Sequence, residues 1–198
     1  MKKILLLFLT IASVASANAQ IQFGLKAGAN FCMVSGKGTT GTKYMTYTGY
    51  YGGALVAIPV VGQFSLQPEL VYSAEGANIE GDGNFTLNSA YFNIPVLIKY
   101  NHPSGFFLET GPQLGFLLSA KVKSGSFNED VKSSSQSTSF SWAFGLGYLI
   151  LPVNLGIDAR YNLGLTNLAN NGNYLSNIKD NVIQIGLFYV FGKGPYNK

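Results

Sequence analysis

The chain has 198 residues with a formal net charge of +4, yet only 11% of them are Asp, Glu, Lys or Arg. Soluble domains carry about 25%, and the mean hydropathy here is +0.19. A water-solvated surface is therefore excluded for most of the chain, and one cysteine, Cys32, excludes an internal disulfide.

Residues 1–19 have the parts of an export signal. Lys2 and Lys3 precede the apolar stretch Ile4 to Val14, and Ala17-Asn18-Ala19 gives a small-x-small cleavage pattern, so the mature chain is expected to begin at Gln20. The stretch is shorter than the roughly 20 residues of a spanning helix. Without the two lysines the net charge falls by two, and the rest of the chain has no basic stripe. Nucleic acid is not an expected partner.

From residue 20 onward apolar and polar residues alternate, as in half-buried strands. The first segment sets Ile21, Phe23, Leu25, Ala27, Ala29, Phe31 and Met33 against Gln22, Gly24, Lys26, Gly28 and Asn30. Segments two (about 49–58) and four (about 89–100) alternate less cleanly, and their facing stays open. The third sets Phe64, Leu66, Leu70 and Tyr72 against Ser65, Gln67, Glu69 and Ser73. In the fifth, Phe106, Leu108, Leu114, Phe116 and Leu118 oppose Glu109, Gly111, Gln113, Gly115 and Ser119. The sixth alternates from Ser139 to Tyr148, the seventh from Val153 to Leu165, and the last from Ile183 to Phe191.

Long polar connections (34–48, 76–88, 120–137, 166–181) alternate with short ones (59–63, 101–105, 150–152). No internal apolar run reaches the roughly 18 residues of a helical span. The expected fold is all-β: an eight-stranded antiparallel up-and-down transmembrane β-barrel over 20–191, followed by a periplasmic tail at 192–198. Long loops would face outside, and short turns and both termini the periplasm.

A soluble barrel would have an apolar interior and a charged exterior. Here the ionisable strand residues Lys26, Glu69, Glu75, Lys99, Glu109, Asp158 and Arg160 all fall on the polar face. They are too few to solvate an outer wall but enough to fill a narrow lumen. The apolar face is therefore assigned to lipid. Aromatic residues near strand ends (Phe31, Tyr72, Tyr100, Phe106, Phe140, Tyr148, Phe191) suit interfacial girdles. Inward glycines such as Gly24, Gly28, Gly111, Gly115, Gly145 and Gly156 would make room for long charged side chains. Pro68, Pro95 and Pro112 interrupt three strands, each removing a ladder donor, which suggests bulges at those positions.

Four motifs recur in order: Gln67-Pro68-Glu69-Leu70, Ile94-Pro95-Val96-Leu97, Gly111-Pro112-Gln113-Leu114-Gly115 and Arg160-Tyr161-Asn162-Leu163-Gly164-Leu165. Together they resemble the PorT-like outer-membrane β-barrel family of Bacteroidetes-type bacteria, over nearly all of 20–191. The resemblance implies an outer-membrane barrel. Its namesake is linked to protein secretion to the cell surface. Barrel-insertion machinery usually reads a terminal aromatic strand end, whereas here Tyr189 and Phe191 are internal.

No catalytic, cofactor or metal site is expected. His102 lies in a short turn with Ser104 and no carboxylate, so a nucleophile there lacks its third group. Cys32 has no second thiol or histidine in its segment. Glu80, Asp82, Glu129 and Asp130 lie in long loops without calcium-loop spacing. The seven lumen charges are the remaining constellation. They form either a salt-bridged plug in a non-enzymatic structural or accessory barrel, or the lining of a narrow channel or porin-like transporter. Expected partners are outer-membrane lipid, the insertion machinery and, through loop 120–137, an envelope or secretion protein.

Overall fold

The computed structural model describes residues 21–35, 43–80, 85–124, 127–132, 136–166 and 179–192. Eight wall strands form a closed antiparallel ring: β1 (Gln22–Ser35), β3 (Tyr47–Val61), β4 (Phe64–Glu80), β5 (Phe85–Asn101), β6 (Phe106–Ser124), β8 (Thr138–Ile150), β9 (Leu155–Gly164) and β10 (Lys179–Phe191). Neighbours in sequence are neighbours in the sheet, and β1 closes on β10 with Phe23 opposite Phe191 and Ser35 opposite Lys179. Two short strands lie at the far rim. β2 (Lys43–Met45) pairs with β4 and β7 (Phe127–Asp130) with β6.

Three tight turns join β3 to β4, β5 to β6 and β8 to β9 at one rim, where the first and last strands also end. Gly62, Gly105 and Asn154 take positive φ there, a conformation in which glycine and asparagine have little steric cost. His102 is exposed in the second turn. Its Nδ1 lies 2.8 Å from Ser104 Oγ and accepts from the Ser104 N–H at 3.2 Å. Both contacts are local to the turn.

The connection expected at 76–88 is mostly strand, since β4 runs to Glu80 and β5 starts at Phe85. Polar side chains there are hydrogen-bonded: Thr86 Oγ1 donates to Asn78 Oδ1 across the β4–β5 ladder at 3.1 Å, and Tyr47 Oη on β3 donates to Asn88 Oδ1 on β5 at 2.9 Å. Gly and Asn in this stretch mark strands continuing beyond the apolar belt. Glu80 accordingly ends β4, and Glu129 and Asp130 belong to β7, so these acids are in strands rather than loops. Asp82 lies outside the described residues, as do parts of loop 120–137.

The prolines do not sit in bulges. On either side of Pro68, Pro95 and Pro112 the register is the same: Leu55 to Glu69 continues as Ile58 to Leu66, Pro68 to Val96 as Val71 to Asn93, and Pro95 to Gln113 as Ile98 to Thr110. The ladder drops two rungs beside each missing N–H and resumes in step. That interrupts bonding locally but inserts no residue.

A bulge lies elsewhere. Ala90 pairs with Ser119 and Tyr91 with Leu117, so Leu118 is the extra residue. Parity flips beyond it, and Ala120, not Ser119, is buried. Segments two and four resolve with Tyr51, Leu55, Tyr91, Asn93, Leu97 and Lys99 inward.

Outward, the wall is apolar: Phe23, Leu25, Leu70, Ile98, Leu108, Phe144, Leu146, Ile157, Ile185 and Leu187 are all exposed. Near the short-turn rim rings pack in pairs on the outer face, Phe64 with Tyr100 at 5.3 Å and Tyr189 with Phe191 at 5.1 Å between centroids.

Candidate functional site

The seven charges assigned to the lumen, Lys26, Glu69, Glu75, Lys99, Glu109, Asp158 and Arg160, all face inward and are buried. At mid-lumen Arg160 on β9 donates to Glu69 on β4 through both terminal nitrogens, Nη1 to Oε2 at 2.9 Å and Nη2 to Oε1 at 2.8 Å. Its Nε and Nη2 also reach Glu109 Oε1 on β6, at 2.9 and 2.6 Å. Lys26 on β1 joins Glu69 (3.4 Å) to Asp158 on β9 (3.2 Å). Every side chain in these four ion pairs is at most 2% exposed.

The strand order makes this arrangement a crossbar. β4 and β9 are four strands apart in either direction around the ring, so the Arg160–Glu69 pair spans the barrel's diameter. Fork-to-fork geometry of this kind is among the stronger charge-assisted contacts. Gln67 Nε2 donates to Glu69 Oε1 at 2.8 Å, filling a further lone pair.

Lys99 enters the plug differently. Its ammonium donates to Gln67 Oε1 at 3.2 Å and lies 3.5 Å from the centre of the Phe107 ring and 4.9 Å from that of Phe188. Ring faces are electron-rich and attract a cation, more so when water is excluded. Below it Phe107, Phe188, Leu55 and Val190, with Leu149 against them, form an apolar floor towards the short-turn rim. Sequence reasoning missed this floor. One available signal was the mixed parity of β10, where Phe188 and Val190 follow Gln184 and Gly186 on the inner face.

The inward glycines serve the floor as much as the charges. A Cβ at Gly145 would meet Glu109 Cγ at 2.8 Å, as the charge-accommodating expectation requires. A Cβ at Gly156, however, would lie 2.2 Å from the Phe188 ring, and Gly24 faces Leu55.

Glu75 stands apart from the other six charges. Its Oε1 accepts from Ser73 Oγ at 2.7 Å and Asn93 Nδ2 at 3.2 Å, and no ion pair reaches it among the described residues. Between Glu75 and the plug lies Asn30, whose Nδ2 donates to Ser73 Oγ (2.8 Å) and the Ala74 carbonyl (2.9 Å) while Oδ1 accepts from Gln184 (2.9 Å). Cys32 is buried on the inner face of β1. Among the described residues no group of His, Cys, Asp and Glu suits a metal ion.

The whole barrel resembles Ail, the attachment invasion locus protein of Yersinia pestis, at 17% identity and a TM-score of 0.52, covering 86% of this chain and 98% of that one. Neisserial surface protein A gives 18% identity, a TM-score of 0.49 and coverages of 84% and 96%. OprG of Pseudomonas aeruginosa gives 13%, 0.48, and 86% and 94%. The likeness to Ail is one of fold and supports a closed eight-stranded outer-membrane barrel. No curated protein matches the chain. With an apolar outer wall around a salt-bridged lumen, and a family model that matches residues 13–170, the chain belongs to the outer membrane protein beta-barrel domain family.

Proposed function

We propose that this outer-membrane barrel is a structural or accessory protein that passes no solute and catalyses no reaction. The observation that carries the reading is the Arg160–Glu69 crossbar, which occupies the full diameter of an eight-stranded lumen. Such a lumen is only wide enough for its own side chains. The apolar floor of Phe107 and Phe188 adds a second closure below it. Activity then resides in the rims, including the β6–β7 region of loop 120–137 as a partner contact. In this reading residues 1–19 direct export, and the short-turn rim with both strand termini faces the periplasm.

Single-channel recording of the refolded protein in a planar bilayer tests it. The expected record is flat. Steady conductance that changes when Arg160 or Glu109 is neutralised overturns the plug and restores the narrow-channel reading.

The four proline- and glycine-containing motifs favour a narrower assignment, a PorT-like accessory of protein secretion. A deletion strain that exports its surface proteins normally removes that assignment without touching the closed-barrel reading.

A further inference from the structure

The lumen charges do not balance along its length. Lys26, Lys99 and Arg160 offset Glu69, Glu109 and Asp158 in the plug, which leaves Glu75 as a carboxyl group without a counter-charge on the inner wall among the described residues. Glu75 is 9% exposed, and both of its hydrogen bonds fall on Oε1 and come from neutral groups. Burying a carboxylate without a countercharge is costly.

Glu75 lines a cavity of about 40 Å³ that extends towards the long-loop rim, beside the start of β8 and the end of β9. Its wall also carries Asn93, Gln113, Ser139, Ser141 and Asn162. Asn162 is 4% exposed and its Oδ1 has no hydrogen-bond partner. Of the three residues with such an atom among the described ones, Asn162 lines the cavity; Tyr51 and Asp158 do not. Gly115 lets two of these side chains sit against the wall. A Cβ at that position would come within 2.3 Å of Ser139 Oγ and 2.5 Å of Asn93 Oδ1.

We propose that the outer half of the lumen binds one small monovalent cation, held by the Glu75 carboxylate and the Asn162 amide oxygen. Size and charge select this class. At roughly 10–15 Å³ per water, the cavity holds about three waters, too little for a sugar or a peptide side chain of any length. The described lining is rich in oxygen acceptors but has a single carboxyl group. Calcium takes six to eight oxygens and would keep an uncompensated charge beside one carboxylate. A single positive charge neutralises Glu75 and gives Asn162 Oδ1 a partner. The ion is either an alkali metal ion or the ammonium end of a small primary amine.

Calorimetric titration of the refolded protein, in a buffer whose only cation is the bulky N-methylglucammonium, tests the site. The probes are methylammonium, potassium and sodium chlorides, used singly and in competition. Saturable one-to-one binding is expected for at least one probe, weakened at least about tenfold by Glu75→Gln. Methylammonium binding that potassium and sodium do not displace assigns the amine, and the reverse assigns the alkali ion. Absence of saturable binding by all three overturns the proposal, as does unchanged affinity in Glu75→Gln. If that variant fails to give the compact, heat-modifiable band of the folded barrel, Asn162→Ala replaces it, and unchanged affinity there is equally decisive. The titration is independent of conductance, so a leaky barrel could still bind and a sealed one could still fail to.

Discussion

Glu69 and Glu75 lie six residues apart on β4 and point the same way, yet they meet different surroundings. At about 3.3 Å per residue the separation is about 20 Å. Glu69 accepts from a guanidinium, an ammonium and an amide. Among the described residues, Glu75 accepts from a hydroxyl and an amide only. The same side chain is thus a structural member in one half of the lumen and, among the described residues, a carboxyl group without a cation beside it in the other. What differs is the far wall: Arg160 stands opposite the first, and the cavity stands beside the second. Inward facing alone does not define a charge's role in a barrel.

The largest expected effect breaks the lower half. Arg160→Ala leaves Glu69 and Glu109 without their main partner in a buried site, which should cost about 3–5 kcal/mol. Denaturant unfolding followed by heat-modifiable gel mobility measures it. A loss below about 1 kcal/mol would mean that the crossbar is not a structural member. Next comes the other side of the wall at the same level. Leu187→Arg puts a charge on the exposed face beside Gly186, which pairs with Asp158, and should cost about 2–4 kcal/mol in a bilayer. If it is neutral there, that face does not meet lipid tails.

Asn30 separates the two halves, and removing its amide leaves Ser73, Gln184 and the Ala74 carbonyl short of a partner. Asn30→Ala should cost about 1–3 kcal/mol by the same assay. The smallest effect belongs to Glu75→Gln, below about 1 kcal/mol, because its partners are neutral and the replacement keeps its shape. A Glu75→Gln loss as large as that of Arg160→Ala would erase the distinction between the halves.

Alternation made much of this legible. Lys26, Asp158 and Arg160 sit in runs where every second residue is apolar, and a period of two fixes the side on which such a residue falls. Parity carries no information past an inserted residue, so Leu118 moved Ser119 off the inner face and Ala120 onto it. Pro68, Pro95 and Pro112 looked like register faults because a missing donor is visible in sequence, while the tolerance of its neighbours is not. The floor escaped notice because Phe107 and Phe188 oppose each other across the lumen only after closure, at 5.6 Å between ring centres. Position along the strand separates Glu75 from Glu69 by depth, but the cations that Glu69 meets lie in strands far away along the chain.

The crossbar also constrains the order of assembly. Residues 69 and 160 belong to strands that no hairpin brings together, and Lys26 reaches Asp158 from β1, next to the β1–β10 seam. In a partly formed, still open sheet these groups keep their hydration, and they surrender it only as the last seam zips. Ion pairing is therefore a late event in biogenesis, one that rewards the finished cylinder and leaves every unfinished one wet.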